Sequence, residues 1–353
     1  MDLFLFPEAA CLSNGYGIAV KVAYEQLSIK ENDIVVWYTS LPKDRMMYVR
    51  DQDYIIPRPS FFSFKSVYNT LRRTNRSELL VSELAFLKEK NINNIYCDET
   101  CFYHAIRKLF PEKKITVRFH NCFARIHDRL KLLKNRRVDL LYSITLSNMY
   151  NLERDVMLDK NVHKIFISEE DRFYYTSHYG KYTDSNTFTF VPNLNIAKQK
   201  RKYDKVDHRL IWFGGIESHK KSSVEWFIRD VFPKIKQEIP EIEFHLWGKG
   251  TEKFDNTPQS VYGHGFYEGL GNPSNSSLYI NPDIIGGGVK IKLMSLIEAG
   301  MPIISTPFGF EGYSKELIDE RYCIVIEEEE WAVNIINYLQ KYGKYLENKS
   351  PIV

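Results

Sequence analysis

Three consecutive glycines, Gly286 to Gly288, run into Val289 and then into Lys290 and Lys292 at the opening of a helical pattern. Residues without a Cβ let backbone amides approach a ligand, and amides at a helix start attract negative charge. Lysines at that end of a helix oppose its dipole unless an anion lies between them, so the segment suits a diphosphate. A bare turn with solvated lysines is the plain alternative, but glycine loop, helix start and two lysines together favour the anion. The loop lacks the Gly-Lys-Ser/Thr closure of a Walker A sequence and is not Gly-x-Gly-x-x-Gly, which disfavours ATPase and dinucleotide oxidoreductase chemistry. A second candidate is His120, in Val117-Arg-Phe-His-Asn121. Ligands of open α/β sheets bind where strands end, although a lone histidine is more often structural.

Positioning these residues requires strands that end in loops and helices that follow them. Apolar runs alternate with helical patterns throughout, which predicts an α/β chain with parallel, helix-covered sheets. In the first half, strands are expected at Leu3 to Phe6, Ile34 to Tyr38, Ile95 to Cys97, Ile115 to Phe119, Leu140 to Ile144 and His163 to Ile167, with a helix at Ala19 to Leu27. After the polar stretch Ala197 to Arg209, a second series is expected at Leu210 to Phe213, Glu243 to Trp247, Leu278 to Asn281, Ile303 to Ser305 and Cys323 to Ile326. A helix from Ser222 to Gln237 should kink at Pro233, and the acidic run Glu327 to Glu330 should open another helix. Two doubly wound domains follow, residues 1–195 and 196–335, with a C-terminal helix at 336–353 that could pack back on the first.

The 353 residues suffice for two domains with their own cores, and 44% hydrophobic with 26% charged residues is a globular composition. A formal charge of +3 without an arginine-rich array gives no reason to expect nucleic acid. Cys11, Cys97, Cys101, Cys122 and Cys323 are scattered, without disulfide-framework or zinc spacing, and read as reduced cytosolic thiols. No apolar run is long enough to span a membrane, and the short apolar N-terminus lacks the basic start of a signal peptide. A cytoplasmic chain is expected, peripheral at most on the inner face of the plasma membrane.

The run from Asn281 to Gly312 resembles the nucleotide-sugar segment of GT-B glycosyltransferases, especially the retaining glycosyltransferase family 4. The elements that carry the resemblance are Gly286 to Lys292, Ala299-Gly-Met-Pro-Ile-Ile-Ser-Thr306 and Gly309-Phe-Glu-Gly312. Upstream, Phe190-Val-Pro-Asn193, Trp212-Phe-Gly-Gly with Lys220, Leu246-Trp-Gly-Lys-Gly250 and Gly263-His-Gly-Phe266 are similar to further elements in the family's order. Asn14-Gly-Tyr-Gly17 looks like the glycine loop after the first strand of the other domain. The resemblance implies two Rossmann-like domains facing across a cleft. It also implies transfer of a sugar from a nucleoside diphosphate to a glycan or lipid-linked acceptor with retention, as in surface polysaccharide synthesis.

On that resemblance, His120 and Lys290 are the catalytic candidates. The diphosphate falls to Gly286, Gly287, Gly288, Val289, Lys220 and Lys290, and the nucleotide to Ser295, Glu298, Gly214 and Gly248. Asn14, Gly15 and Gly17 line the acceptor side. Two departures stand out: Gly215 occupies the place of a family arginine, and the paired glutamates are replaced by Gly287 and Ser295, with Glu298 one helical turn on. No cofactor and no metal are expected, since lysines can carry the phosphate charge. Two alternatives are a noncatalytic subunit that binds nucleotide sugar and a sugar-nucleotide epimerase, the latter in want of carboxylates placed for proton transfer. The basic segment Lys108 to Arg137, with Lys113, Arg118 and Arg125, could meet a membrane surface, or be a solvated face. Phe61, Phe62 and Phe64 could join a membrane-facing or sugar-stacking surface, but ordinary core packing is the favoured reading.

Overall fold

The computed structural model describes residues 1–10, 15–60, 63–130, 140–179, 187–189, 206–216, 218–255, 260–266, 277–284, 289–298, 300–313, 322–325 and 327–344, in two compact units. In the first, β1 (Leu3–Phe6) leads to α1 (Gly15–Gln26), β2 (Ile34–Tyr38), β3 (Tyr54–Ile56) and α2 (Phe64–Leu71). Then come β4 (Ile95–Cys97), α3 (Tyr103–Leu109), β5 (Ile115–Phe119), α4 (Phe123–Leu130), α5 (Leu140–Leu158), β6 (Val162–Phe166), α6 (Glu169–Tyr179) and β7 (Thr187–Thr189). The seven strands form one sheet in the order β3-β2-β1-β4-β5-β6-β7, with every pairing parallel. β1 and β2 read LFLF and IVVWY and are buried at every position, as strands covered on both faces must be. Leu5, Val36 and Phe119 serve one face and Phe6, Val35 and Trp37 the other.

The second unit contains β8 (Val206–Asp207), β9 (Arg209–Phe213), α7 (Ser218–Trp226), α8 (Phe232–Glu238), β10 (Glu243–Trp247), β11 (Val261–Gly263) and β12 (Leu278–Asn281). It continues with α9 (Ile291–Glu298), β13 (Ile303–Ser305), β14 (Tyr322–Ile324), α10 (Glu330–Tyr342) and β15 (Gly343–Lys344). Its main sheet runs β11-β10-β9-β12-β13-β14, and β8 pairs separately with β15. Numbered from the first strand of each sheet, both follow the doubly wound order 3-2-1-4-5-6, whose direction reverses beside the first strand. The reversal points lie between β1 and β4 and between β9 and β12. Leu210, Phe244 and Ile280 pack under α7, α8 and α10, while Ile211, Tyr279 and Ile303 meet Leu293 and Ile297 of α9.

Several sequence expectations change. Leu140 to Ile144 is not a strand but the first turns of α5, whose buried Leu146, Leu152, Val156 and Met157 lie at helical spacing. The helix around Pro233 begins at Ser218 and passes through a π turn, Phe227–Val231, immediately before the proline segment. Proline offers no amide for a regular helical bond, and the wider turn accommodates that loss. Glu327 to Glu329 precede the last helix, which starts at Glu330. That helix is 330–342 rather than 336–353, and its Trp331, Ile335 and Leu339 belong to the core of the second unit. Residues 345–353 lie outside the described residues.

Candidate functional site

In the second unit, the ends of β9, β10 and β11 bring three separated sequence elements together. The Gly214 amide donates to the Trp247 carbonyl at 3.0 Å, and the Gly248 amide donates to the Gly265 carbonyl at 2.8 Å. Gly248 has φ 135°, and a Cβ there would lie 2.2 Å from the Gly214 carbonyl oxygen. Only glycine permits this approach. Gly214 and Gly248 therefore have a reason to be glycine in the protein's own backbone. Beside them, Trp247 and His264 stack at 3.9 Å, and His264 Nε2 lies 2.9 Å from His245 Nδ1. Burial, and the neighbouring His264 against the opposing pull of Glu243, hold the His245 imidazole down to about 4.

The ends of β12 and β13 are joined by polar side chains. Asn281 Nδ2 donates to Ser305 Oγ at 3.0 Å, and Thr306 Oγ1 donates to the Asp283 carbonyl. Asn281 Oδ1 is buried and has no hydrogen-bond partner among the described residues. Gly286 to Gly288 lie outside the described residues. Val289 is buried, and its Cγ2 would stand 2.4 Å from a Cβ at Gly312, where φ is 83°. The Gly309–Gly312 element thus closes against the end of the glycine loop.

The two lysines of this segment differ. Lys292, in the first turn of α9, turns inward: its Nζ is 2.7 Å from Asp283 Oδ2 and 3.3 Å from the Phe213 carbonyl, and 5.2 Å from the Trp212 ring centre. Its charge is matched by a carboxylate of the protein, contrary to the expectation of an anion-binding pair. Lys290 precedes the helix; its Nζ lies over the Phe308 ring at 3.8 Å, and its carbonyl accepts from Tyr313 Oη at 2.7 Å. Lys220 is half-buried on α7, the helix that follows Gly214. Ser295 and Glu298 are on α9, the latter as its final residue, and their side chains lie outside the description.

In the first unit, His120 follows β5 and is 3% exposed. Its Nε2 lies 2.9 Å from Asp98 Oδ2, beyond the end of neighbouring β4. Arg118 holds the same carboxylate through Nε at 2.6 Å and Nη2 at 3.1 Å, and Nη2 also donates to the Ala19 carbonyl of α1 at 3.0 Å. Tyr96 Oη donates to Asp98 Oδ1 at 3.0 Å. Burial disfavours the Asp98 charge, but Arg118 and His120 outweigh it and hold the carboxyl below its usual range. Sequence reasoning missed this cluster, although an acid ending β4 beside a histidine ending β5 was a usable signal. Asn14 lies outside the described residues, and Gly15 and Gly17 are in the first turn of α1 rather than in a loop.

The basic segment is not one exposed face. Arg118 is buried on Asp98, Arg125 pairs with Asp171 at 3.0 Å, and Lys113 Nζ donates to the Ile92 carbonyl at 2.8 Å. In the Asp-x-Asp sequence Asp51-Gln52-Asp53, the Asp53 side chain is buried on Arg50 at 2.8 Å and on the Trp37 indole at 2.9 Å, while the exposed Asp51 pairs with Lys43 at the surface at 3.0 Å. A cavity of about 390 Å³ lined by Met1, Asp33 and Gln52 opens at the amino ends of β1 and β2, the end of the sheet opposite His120.

Residues 207–341 match the family model described as Glycosyl transferases group 1. That stretch is similar to a group 1 glycosyltransferase domain. It contains Gly214, Lys220, Gly248, Val289 and Lys290. An "Uncharacterized 44.6 kDa protein in cps region" of Klebsiella pneumoniae is 27% identical over 153 residues, which is 39% of this chain and 39% of that protein.

Among solved structures, sucrose-phosphate synthase from Thermosynechococcus elongatus is similar with a TM-score of 0.61 at 12% identity, over 96% of this chain and 90% of that one. The α,α-trehalose 6-phosphate synthase of Burkholderia multivorans gives 0.52 at 10% identity, over 97% and 90%. The pneumococcal O-GlcNAc transferase GtfA, solved with UDP and GlcNAc, gives 0.50 at 16% identity, over 73% of this chain and 52% of its own. The chain thus spans about half the length of that transferase. At these identities the likeness is one of fold, and the fold is that of GT-B glycosyltransferases, two Rossmann-like units built on parallel sheets. Among the described residues no helix is long and apolar enough to cross a membrane.

Proposed function

We propose that this chain is a retaining glycosyltransferase that moves a sugar from a nucleoside diphosphate to an acceptor hydroxyl of a glycan or lipid-linked glycan. The observation that carries this reading is the match of the group 1 model to residues 207–341, the stretch that supplies the converging strand ends and Lys290. The cps-region relative from Klebsiella and the UDP complex of the pneumococcal transferase support surface polysaccharide synthesis and a nucleotide-sugar donor.

In the reaction, the bond between the anomeric carbon and the diphosphate oxygen breaks, and the acceptor oxygen takes that carbon on the same face. The hydroxyl proton leaves with the diphosphate. Negative charge grows on the departing group, and preorganised donors are most effective where charge develops. Backbone amides at the start of α9, Lys290 and Lys220 fill that role, while Lys292, matched to Asp283, holds the helix start in place. Gly214 and Gly248 leave room for the nucleotide, with Ser295 and Glu298 on its side. The chemistry needs no metal because lysine charge supports the diphosphate. In the first unit, His120, held by Asp98, is the catalytic candidate, and the first turn of α1 is the candidate acceptor element.

Purified protein incubated with a panel of nucleotide sugars and acceptors tests the proposal: nucleotide release with glycosidic product is expected, without a requirement for divalent ions. Binding without turnover, or an epimerised donor, would replace it with a noncatalytic or an epimerase reading. Lys290→Ala should weaken donor binding about tenfold, the weight of one charged hydrogen bond, without lowering the melting temperature. Unchanged donor affinity in the folded variant counts against the site.

A further inference from the structure

The helix α2 is amphipathic in the inverted sense. Its buried residues are Ser66 and Asn69, whereas Phe64 is 87% exposed, Leu71 78%, Val67 48% and Tyr68 41%. These four stand at positions i, i+3, i+4 and i+7, which one face of a helix presents together. Phe64, expected in the core, therefore heads an apolar stripe in water.

The inner face explains why the helix keeps this orientation. Ser63 Oγ caps the Ser66 amide at 3.2 Å, and Ser66 Oγ donates to the Ser60 carbonyl at 2.8 Å. Asn69 Nδ2 donates to the Glu78 carbonyl at 2.9 Å, and Lys65 Nζ donates to Tyr38 Oη at 3.0 Å and pairs with Glu83. The polar side is held by specific hydrogen bonds, so the apolar side is left outward. Ile144 of α5, 40% exposed, lies one turn before Asn148, whose side chain donates to the Thr70 carbonyl at 3.4 Å, which places it near the same stripe.

We infer that α2 docks the protein onto an anionic phospholipid surface. Charge selects this occupant: α2 carries no acidic residue, and the exposed Arg72 and Arg73 follow the stripe, with the Arg72 guanidinium 5.5 Å from the Tyr68 ring centre. Size selects it too. One aromatic side chain covers only about 150–250 Å², and four side chains, two of them half exposed, fall short of the roughly 800 Å² per partner of a stable protein interface. A short apolar stripe edged by arginines is sufficient for shallow insertion among lipid headgroups. The inference concerns a different surface from the donor site and does not depend on the transfer reaction.

The full chain is mixed with vesicles of phosphatidylcholine alone or of phosphatidylcholine with phosphatidylglycerol, and sedimented without any nucleotide sugar. Binding is expected to the anionic vesicles and to weaken as salt is raised. The double variant Phe64→Ser/Leu71→Ser should partition at least about tenfold less, with an unchanged melting temperature because both side chains are exposed; Phe64→Ser alone should weaken binding in the same direction. Arg72→Gln/Arg73→Gln should lose roughly fivefold per arginine on anionic vesicles. Equal binding to neutral and anionic vesicles, wild-type binding by the serine variants, or a solution dimer that those substitutions dissociate would overturn the inference.

Discussion

The two Rossmann-like units share a strand order and differ in what the ends of their central strands hold. In the first, the space beyond β4 and β5 is filled by Asp98, Arg118 and His120, a cluster buried almost completely and neutralised internally. In the second, the ends of β9 and β10 bring glycine against glycine, and Lys292 nearby is matched by the Asp283 carboxylate. The topology sets where strands end, and the residues that follow decide whether that end is braced from inside or shaped for close approach. The same order of strands thus supports a rigid histidine in one unit and an open-textured backbone in the other.

The sharpest way to break the comparison is to remove the brace. Asp98→Asn leaves Arg118, 2% exposed, with its charge uncompensated, and should cost about 3–5 kcal/mol in chemical denaturation. A loss under about 1 kcal/mol would mean that the cluster does not brace the first unit. The corresponding change in the second unit is Gly248→Ala. Its positive φ and the clash with the Gly214 carbonyl should destabilise the unit by about 1–3 kcal/mol and pull β9 and β10 apart at their ends. Amide exchange at Gly214 checks this; unaltered protection would show that the close approach can relax freely.

The smallest effect is a pH dependence in the second unit. His245, held down to about 4 from an ordinary 6.5, is neutral in the folded protein near neutral pH and takes up a proton more readily when unfolded. Its contribution is complete above pH 6.5 and is lost as pH falls toward 4, with about 2 kcal/mol gone by pH 4.5. Asp98, whose carboxyl is also held down, keeps its contribution until pH falls below the usual carboxylate range. Burial also holds the His163 imidazole of the first unit down, so both units lose stability on acidification, and His245→Gln should reduce the part of that loss between pH 6.5 and 4.5 in thermal melts followed by Trp fluorescence. A loss that survives the substitution undiminished would place it elsewhere.

Strands with continuous apolar runs, such as Leu3 to Phe6 and Ile34 to Tyr38, were legible because burial on both faces leaves little room for polar residues. The short strands Tyr54–Ile56 and Thr187–Thr189 carried no such run, since edge pairing needs only backbone. Leu140 to Ile144 misled because a helix and a strand are alike over so short and mainly apolar a run. In the site, the glycine motifs announced the second unit, yet the Lys292–Asp283 pair depends on a fold-back no local pattern reveals. His120 was legible and Asp98 was not, because adjacent parallel strands join residues separated by a whole crossover. Phe64 was misjudged for a different reason: periodicity identifies the faces of a helix but not which one turns inward, and Ser66 and Asn69 have partners enough to be buried.

The pairing of Val206–Asp207 with Gly343–Lys344 joins the first strand of the second unit to its last. The described part of that unit thus begins and ends at a common seam, with α10 packed against α8 beside it. Neighbouring ends are the condition under which a domain tolerates circular permutation or transplantation. The second unit can then be treated as a cassette: a tether across the seam, with new ends opened in a surface turn, should preserve its sheet.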